Sequence, residues 1–383
     1  MNQKVKPVPE SRVTKPIFSI AFNTELMAEN PVKISVIMPV YNADRFLEAS
    51  IESIINQTYR NFELIIICSS PTDETRRILT TYQESDERVT VTYQEKKGII
   101  FARNSGCLQA KGEYISVMDA DDVSVPDRFE LQAAFLEKHP DVGIVCSWAD
   151  YMDEGGRVFK KVHPPATSPV IGWYLFFGDC IVHSTAMIRS EVLKKVGYYT
   201  PGKKGFPEDY DLWIRAFQVT KLANIPRPLV KYRMHTSNNS ISVLTEIQQF
   251  CIPLQIALVE KLLDEYHHPM VKEIDIFRNS PVFSFNYPIN DKQVDLIETL
   301  YALYLTKYSL SNSEINEIRA QISQTLLLYS WSMFHFSKGR SLGLFFKALK
   351  YSMTGVIKKF FFVLWRELKH RTGISTQVTW EKK

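Results

Sequence analysis

Residues 34–55 read Ile-Ser-Val-Ile-Met-Pro-Val-Tyr-Asn-Ala-Asp-Arg-Phe-Leu-Glu-Ala-Ser-Ile-Glu-Ser-Ile-Ile, and a change of period inside this stretch decides the fold. Ile34 to Val40 is a short apolar run, whereas Phe46, Leu47, Ile51, Ile54 and Ile55 recur at helical spacing, so a strand is followed by a helix. Working outward, the same alternation repeats. Strand-like Phe62 to Ile67 precedes a helix from about Glu74 to Tyr82, strand-like Arg88 to Tyr93 precedes a helix from about Ile99 to Gln109, and Tyr114 to Met118 is strand-like again. This order predicts an α/β fold with a mostly parallel sheet and helices on both faces. In open sheets of that kind ligands bind beyond the carboxyl ends of the strands, which gives weight to Asn42, Ser69 and Asp119.

The chain has 383 residues, 45% of them hydrophobic and 23% charged, enough apolar material for a core and enough length for two or three domains. Its 46 Lys and Arg against 42 Asp and Glu leave +4, too small an excess for a general nucleic-acid partner. The five cysteines, Cys68, Cys107, Cys146, Cys180 and Cys251, are scattered without a Cys-x-x-Cys pair, so neither a disulfide framework nor a zinc knuckle is expected and a reducing cytoplasm fits. No apolar run of about 18 residues exists to span a bilayer, and the first 30 residues lack the apolar core of a signal peptide. The expectation is a cytoplasmic protein that is neither exported nor transmembrane.

Residues 1–32 carry Pro7, Pro9, Pro16 and Pro31 without a clear period and read as an extended leader. Residues 33–244 hold the α/β pattern. Beyond it, 245–383 reads as a helical C-terminal region, with helix-compatible spacing at Ile247 to Tyr266, Val294 to Lys307 and Ser313 to Phe334. A wheel over 345–365 gathers Phe345, Phe346, Leu349 and Met353 on one side with Lys347 and Lys350 elsewhere, a basic amphipathic helix. Two readings stay open for it: peripheral contact with an anionic membrane surface, at the inner face of the plasma membrane, or packing on the preceding helices.

Asp119-Ala120-Asp121-Asp122 follows directly on the buried-looking run Tyr114 to Met118. Three carboxylates at a strand end repel one another unless a cation joins them, and hard oxygen ligands suit Mg²⁺ or Mn²⁺, whose shell is commonly completed by substrate phosphates. The plainer alternative is that Asp122 to Asp127 only cap and charge the next helix. Glu208-Asp209-Tyr210-Asp211-Leu212-Trp213 reads as the start of a helix with acids in its first turn and Leu212, Trp213 and Phe217 on a buried stripe. A carboxylate there can take a proton from an attacking hydroxyl. His235, at a strand-like end beside Arg233, is either a structural residue or a further metal ligand as neutral imidazole, and Arg233 can offset phosphate charge.

Taken together, residues 34–42, Asn56 to Ile66, Ala102-Arg103-Asn104-Ser105-Gly106, Lys111-Gly112-Glu113-Tyr114, the Asp119–Asp122 segment and the Glu208–Trp213 segment resemble, in order, the family 2 glycosyltransferases of the GT-A fold, a Rossmann-like architecture. The resemblance covers residues 33–240. It implies an inverting, metal-dependent transferase that moves a sugar from a nucleotide-diphosphate donor to a glycan or lipid-linked glycan, in the manner of bacterial surface polysaccharide synthesis. By the same carry-over Pro39, Tyr41, Asn42, Arg103, Asp119 and Ala120 face the donor; Asp119, Asp121 and His235 hold Mn²⁺ or Mg²⁺; Asp209 is the general base; and Glu208, His183 and Trp213 lie on the acceptor side, while Ser69, outside the family pattern, can hydrogen-bond the donor's base or leave that to Asp73. The aromatic run Trp173 to Phe177 is either part of that acceptor side or a core element, and 203–207 is expected to close over the donor.

One departure is evident. Where the family usually carries an Asp-Asp-Gly-Ser-like run after the second strand, this chain has Cys68-Ser69-Ser70-Pro71-Thr72-Asp73, so the acid that reads the base is missing. That loss motivates the alternative of a non-catalytic module that binds nucleotide sugar or glycan. A nucleotidyltransferase would need a glycine-rich, lysine-bearing loop near the first strand, and none is present.

Overall fold

The computed structural model describes residues 32–353 apart from 42–43, 96–97, 203–205, 236–243, 270–290 and 334–337. The expected leader up to residue 31, Asn42, most of the expected closing loop and the tail beyond 353 therefore lie outside the described residues.

The strands are β1 (Ile34–Val40), β2 (Phe62–Ser69), β3 (Val89–Gln94), β4 (Tyr114–Val117), β5 (Val123–Ser124), β6 (Val142–Met152), β7 (Val158–Val162), β8 (Met187–Arg189) and β9 (Lys221–Arg233). Around them run α1 (Asp44–Ile55), α2 (Asp73–Ser85), α3 (Ile99–Gln109), α4 (Arg128–Lys138), α5 (Ser168–Leu175), α6 (Ser190–Val196) and α7 (Glu208–Phe217). The helical region adds α8 (Leu244–Glu265), α9 (Asp291–Lys307), α10 (Asn312–Met333) and α11 (Lys338–Tyr351).

The sheet runs β3-β2-β1-β4-β8-β6-β9-β5, with β7 on β6. Its first half, β3-β2-β1-β4, is parallel throughout, as expected from the strand-helix alternation. β8 then pairs antiparallel with both β4 and β6, while β9 returns parallel to β6. Because β2 and β3 lie on one side of β1 and β4 on the other, the strand order reverses at β1, and in open sheets such a switch point forms a crevice beyond the carboxyl ends.

β1 and β2 are nearly continuous apolar runs because both faces are covered. Val36, Met38, Leu64 and Ile66 pack with Leu47 and Ile51 of α1 and Ile78 and Leu79 of α2. The alternate residues Ile37, Ile65 and Ile67 turn to the other core with Ala102 and Cys107 of α3. There α3 lies so close that a Cβ on Gly106 would meet Ile37 Cγ2 at 2.5 Å. The second core extends without a break into the helical region, where Leu258, Leu262, Leu300 and Leu326 join Trp173 and Trp213. Trp173 is fully buried and donates from Nε1 to Gln321 Oε1 of α10 at 2.9 Å, so of the two readings of this aromatic run the core role holds for Trp173.

On α11, Leu344, Phe345 and Leu349 pack on the core, whereas Leu342 and Phe346 are 56% and 63% exposed, and Met353, just beyond the helix, is 65% exposed. The single apolar side expected over 345–353 is thus split: Phe345 and Leu349 belong to the protein interior and Phe346 and Met353 to its surface. Among the described residues no helix is long and apolar enough to cross a membrane.

Candidate active site

Five strand ends converge on the crevice. β1 delivers Pro39 and then Tyr41, 56% exposed just beyond the strand. β2 ends in Ser69, buried, whose Oγ accepts from Gln94 Nε2 of β3 at 3.0 Å. β4 runs into Asp119, Ala120, Asp121 and Asp122, and β9 ends at Arg233, two residues before His235. The two-residue strand β5 pairs with β9, which fixes the loop after β4 against the end of β9.

The centre is Arg103 on α3, 3% exposed. Its Nη2 donates to Asp119 Oδ1 at 2.9 Å and its Nη1 to Glu208 Oε1, so one guanidinium joins the two acidic motifs, which are 89 positions apart (208 − 119). Burial works against the Arg103 charge, but Asp119 and Glu208 beside it more than compensate and hold it as a cation. Tyr199 lies under the guanidinium at 5.7 Å.

Each acid has its own setting. Asp119 is gripped at both oxygens, since Oδ2 accepts from Ser184 Oγ at 3.1 Å; burial alone would raise its carboxyl, yet Arg103 prevails and holds it below the ordinary range. Asp121 Oδ2 lies 2.9 Å from His235 Nε2, and burial together with the charge of Asp119 raises its carboxyl. Asp122 is fully buried. Its Oδ1 accepts from Arg233 N at 2.8 Å, Oδ2 has no partner, and burial followed by the charges of Asp121 and Asp119 drives it well above the ordinary range. Asp122 therefore braces the end of β9 from within, a role beyond capping the next helix.

Arg233 also braces the acidic loop. Its side chain donates to the carbonyls of Asp121 (2.8 Å), Asp153 (3.3 Å) and Glu154 (3.1 Å), and it covers Phe46 at 4.3 Å, so it ties the acidic loop to the β6–β7 turn.

The first turn of α7 carries Glu208, Asp209 and Asp211, the positive end of a helix. Glu208 pairs with Arg103, and Asp211 is consumed by the fold, accepting from Thr200 Oγ1 at 2.7 Å and from Arg215 at 2.7 and 2.9 Å. Asp209 remains partly exposed; its own backbone neighbour Tyr210 N donates to Oδ1 at 2.8 Å. Burial pushes the Asp209 carboxyl above the ordinary range while Arg103 pulls it back. A carboxylate so tuned, beside a crevice, suits proton transfer.

His183 sits in a short 3₁₀ turn, 7% exposed, with Nε2 3.0 Å from Tyr199 Oη and Nδ1 without a partner. Burial and the nearby Arg103 lower its pKa to about 3, so the ring is neutral. Trp213 is fully buried against it, ring centroids 5.8 Å apart, and its Nε1 has no partner. Trp213 therefore stands behind His183 and presents no open face on which a sugar would stack. Tyr199, Ser184 and Gln94 were not singled out from the sequence; only the fold sets Tyr199 beside Arg103 and His183, Ser184 on Asp119 and Gln94 on Ser69.

Among the described residues no cluster of three or more His, Cys, Asp or Glu is arranged to hold a metal. The pair Asp121–His235 nevertheless fits a divalent cation: two ligands about 2.1 Å from one ion at a right angle stand roughly 3 Å apart, and these atoms are 2.9 Å apart. One carboxylate and one imidazole leave most of a coordination shell to substrate phosphates and water, as Mg²⁺ sites commonly do, although the imidazole is a softer ligand than the oxygens Mg²⁺ usually takes.

Comparison with known proteins points to one family. The model of glycosyl transferase family 2 matches residues 35–197. The chain is 35% identical over 214 residues to an uncharacterized glycosyltransferase of Methanocaldococcus jannaschii, covering 55% of this chain and 73% of the relative. It is likewise 35% identical over 215 residues to the O-antigen biosynthesis glycosyltransferase WbnJ of Escherichia coli, covering 55% and 83%. In structure it is similar to residues 1–349 of S. aureus TarS, crystallised with UDP-GlcNAc, with a TM-score of 0.51 and 16% identity over 84% of this chain and 92% of that one, a likeness of fold.

Proposed function

The chain belongs to glycosyl transferase family 2, and from that premise we propose that it transfers a sugar, with inversion, from a nucleotide-diphosphate donor to a glycan or lipid-linked glycan during cell-surface polysaccharide synthesis. The observation that carries this reading is Arg103, whose one guanidinium holds Asp119 of the donor-side motif and Glu208 of the acceptor-side motif, with Asp209 next along the same helix. The O-antigen role of WbnJ supports the surface-polysaccharide setting, and the UDP-GlcNAc bound to TarS supports the donor class.

In the mechanism, Asp119 is held in one orientation by Arg103 and Ser184 and receives the donor beyond the ends of β1 and β4. Asp121 and His235 would hold Mn²⁺ or Mg²⁺, which when bound supplies positive charge for the departing diphosphate. Asp209 accepts the proton of the acceptor hydroxyl as its oxygen bonds to the anomeric carbon. The bond from that carbon to the phosphate oxygen breaks on the opposite side, and the nucleoside diphosphate leaves with the electron pair. One displacement requires no covalent enzyme intermediate, in keeping with cysteines that burial raises out of reactivity, Cys107 and Cys146 both to about 12.

The basic amphipathic segment 345–365 is proposed to rest on an anionic membrane surface, close to a lipid-linked acceptor. Exposed Leu342 and Phe346, four apart on one face of α11, and exposed Met353 just beyond its end support this. The reading as a whole is tested with a panel of nucleotide sugars and an oligosaccharide acceptor, with Mn²⁺ or with a chelator. One donor should yield nucleoside diphosphate only with metal; release unaffected by the chelator contradicts metal dependence, and no release or binding from any donor contradicts the function.

A further inference from the structure

The base-reading acid expected after β2 is absent, and the fold shows what stands in its place. β1, β2 and β3 are adjacent and parallel, and their carboxyl ends carry Tyr41, Ser69 and Gln94 side by side, with Ser69 and Gln94 direct partners in the register. Neighbouring strands are about 4.8 Å apart, so three strand ends make a floor roughly 10 Å across, the size of a nucleobase. Tyr41 supplies an exposed aromatic ring at one side. At the other, the amide of Gln94 is oriented by its 3.0 Å bond to the buried Ser69 Oγ. The chain then leaves the sheet through Ser70, whose φ of 51° is the left-handed region that residues other than glycine rarely occupy.

The neighbouring acids do other work. Asp44 accepts from Thr72 Oγ1 at 2.8 Å and from Thr75 Oγ1, which fixes the starts of α1 and α2 together. Asp73 is exposed in the first turn of α2, where it complements the helix dipole. A carboxylate can only accept hydrogen bonds, whereas an amide both donates and accepts. The groups at these strand ends are therefore neutral rather than acidic.

We propose that Gln94, oriented by Ser69, reads the hydrogen-bonding edge of the donor's nucleobase and sets which nucleoside diphosphate this transferase uses. This rests on the donor reading proposed above, and the test separates the two. Binding of UDP, GDP, CDP, ADP, dTDP and inorganic diphosphate, each with Mn²⁺, is measured by titration calorimetry for the wild type, Gln94→Ala and the near-isosteric Gln94→Met, with thermal melting to confirm folding. The wild type should favour one nucleoside diphosphate. Both variants should bind that nucleotide about tenfold more weakly or worse, bring all the bases to similar affinity, and leave inorganic diphosphate within about twofold, as loss of one base contact and no phosphate contact requires. Gln94→Glu, which can only accept, should reorder the bases. Unchanged ratios among the bases in Gln94→Ala and Gln94→Met would overturn the inference and reduce Gln94 to an end-cap of β3, as would a wild type indifferent to the base. Failure of the wild type to bind any nucleotide or diphosphate would instead sink the donor reading itself, and the inference with it.

Discussion

At the scale of single residues the site is a set of acids made unequal by their surroundings. Arg103 holds Asp119 ionised, Arg215 commits Asp211 to the fold, and burial leaves Asp209 with a raised carboxyl and partial exposure. Removing Arg103 leaves Asp119 and Glu208 facing each other without their cation, so Arg103→Ala should lose about 3–5 kcal/mol of stability, as is usual when one partner of a buried pair is deleted; chemical denaturation checks this. The raised carboxyl of Asp209 must be ionised to take a proton, so kcat should fall as pH drops through a value above the ordinary aspartate range, read from a pH–rate profile. His183 titrates the other way. Its pKa is about 3 in the fold against 6.5 unfolded, so the unfolded chain binds the extra proton, and stability should be lost as pH falls below about 6.5, by up to about 1.4 kcal/mol per unit, with a shallower slope in His183→Asn. Much of this was legible in advance: carboxylates placed after a buried run announce themselves. Trp213 shows the limit, because helical spacing set it on a buried stripe while family likeness set it toward the acceptor, and the packing of α7 on α5 decides for burial.

At the scale of elements, the parallel half of the sheet was readable because strands covered on both faces are continuous apolar runs, and helices between them keep their own period. The other half was not. β5, β7 and β8 have two, five and three residues, too few to show a period, and β6 mixes Asp150 and Tyr151 into its outer end. Yet these short strands carry the site's geometry, since β5 on β9 and β8 between β4 and β6 bring Arg233, Ser184 and the acidic loop together. The close approach of α3 to β1 positions Arg103, and it depends on Gly106. A methyl there would meet Ile37 Cγ2 at 2.5 Å, so Gly106→Ala should cost roughly 1–3 kcal/mol by overpacking and lower transfer activity as Arg103 shifts, measured by melting and by kcat together.

At the scale of the whole molecule, the helical region was expected from the sequence as a separate stretch, but its helices complete the same core that backs α5 and α7. That shared packing is not readable from sequence because each helix alone looks amphipathic, and only contact reveals which face is spent. On α11 and just past its end it leaves Leu342, Phe346 and Met353 outside, so replacing all three by serine should reduce sedimentation with anionic liposomes severalfold without lowering the melting temperature; unchanged sedimentation would remove the membrane proposal. The central claim is that the two acidic motifs, joined by Arg103, divide the chemistry so that Asp209 takes the acceptor's proton. It is tested most directly by nucleoside diphosphate release from the preferred nucleotide sugar, with acceptor and Mn²⁺, for the wild type and Asp209→Asn. The variant should bind nucleoside diphosphate within about twofold of the wild type yet turn over about 10²–10⁴-fold more slowly; equal release by both would contradict the account.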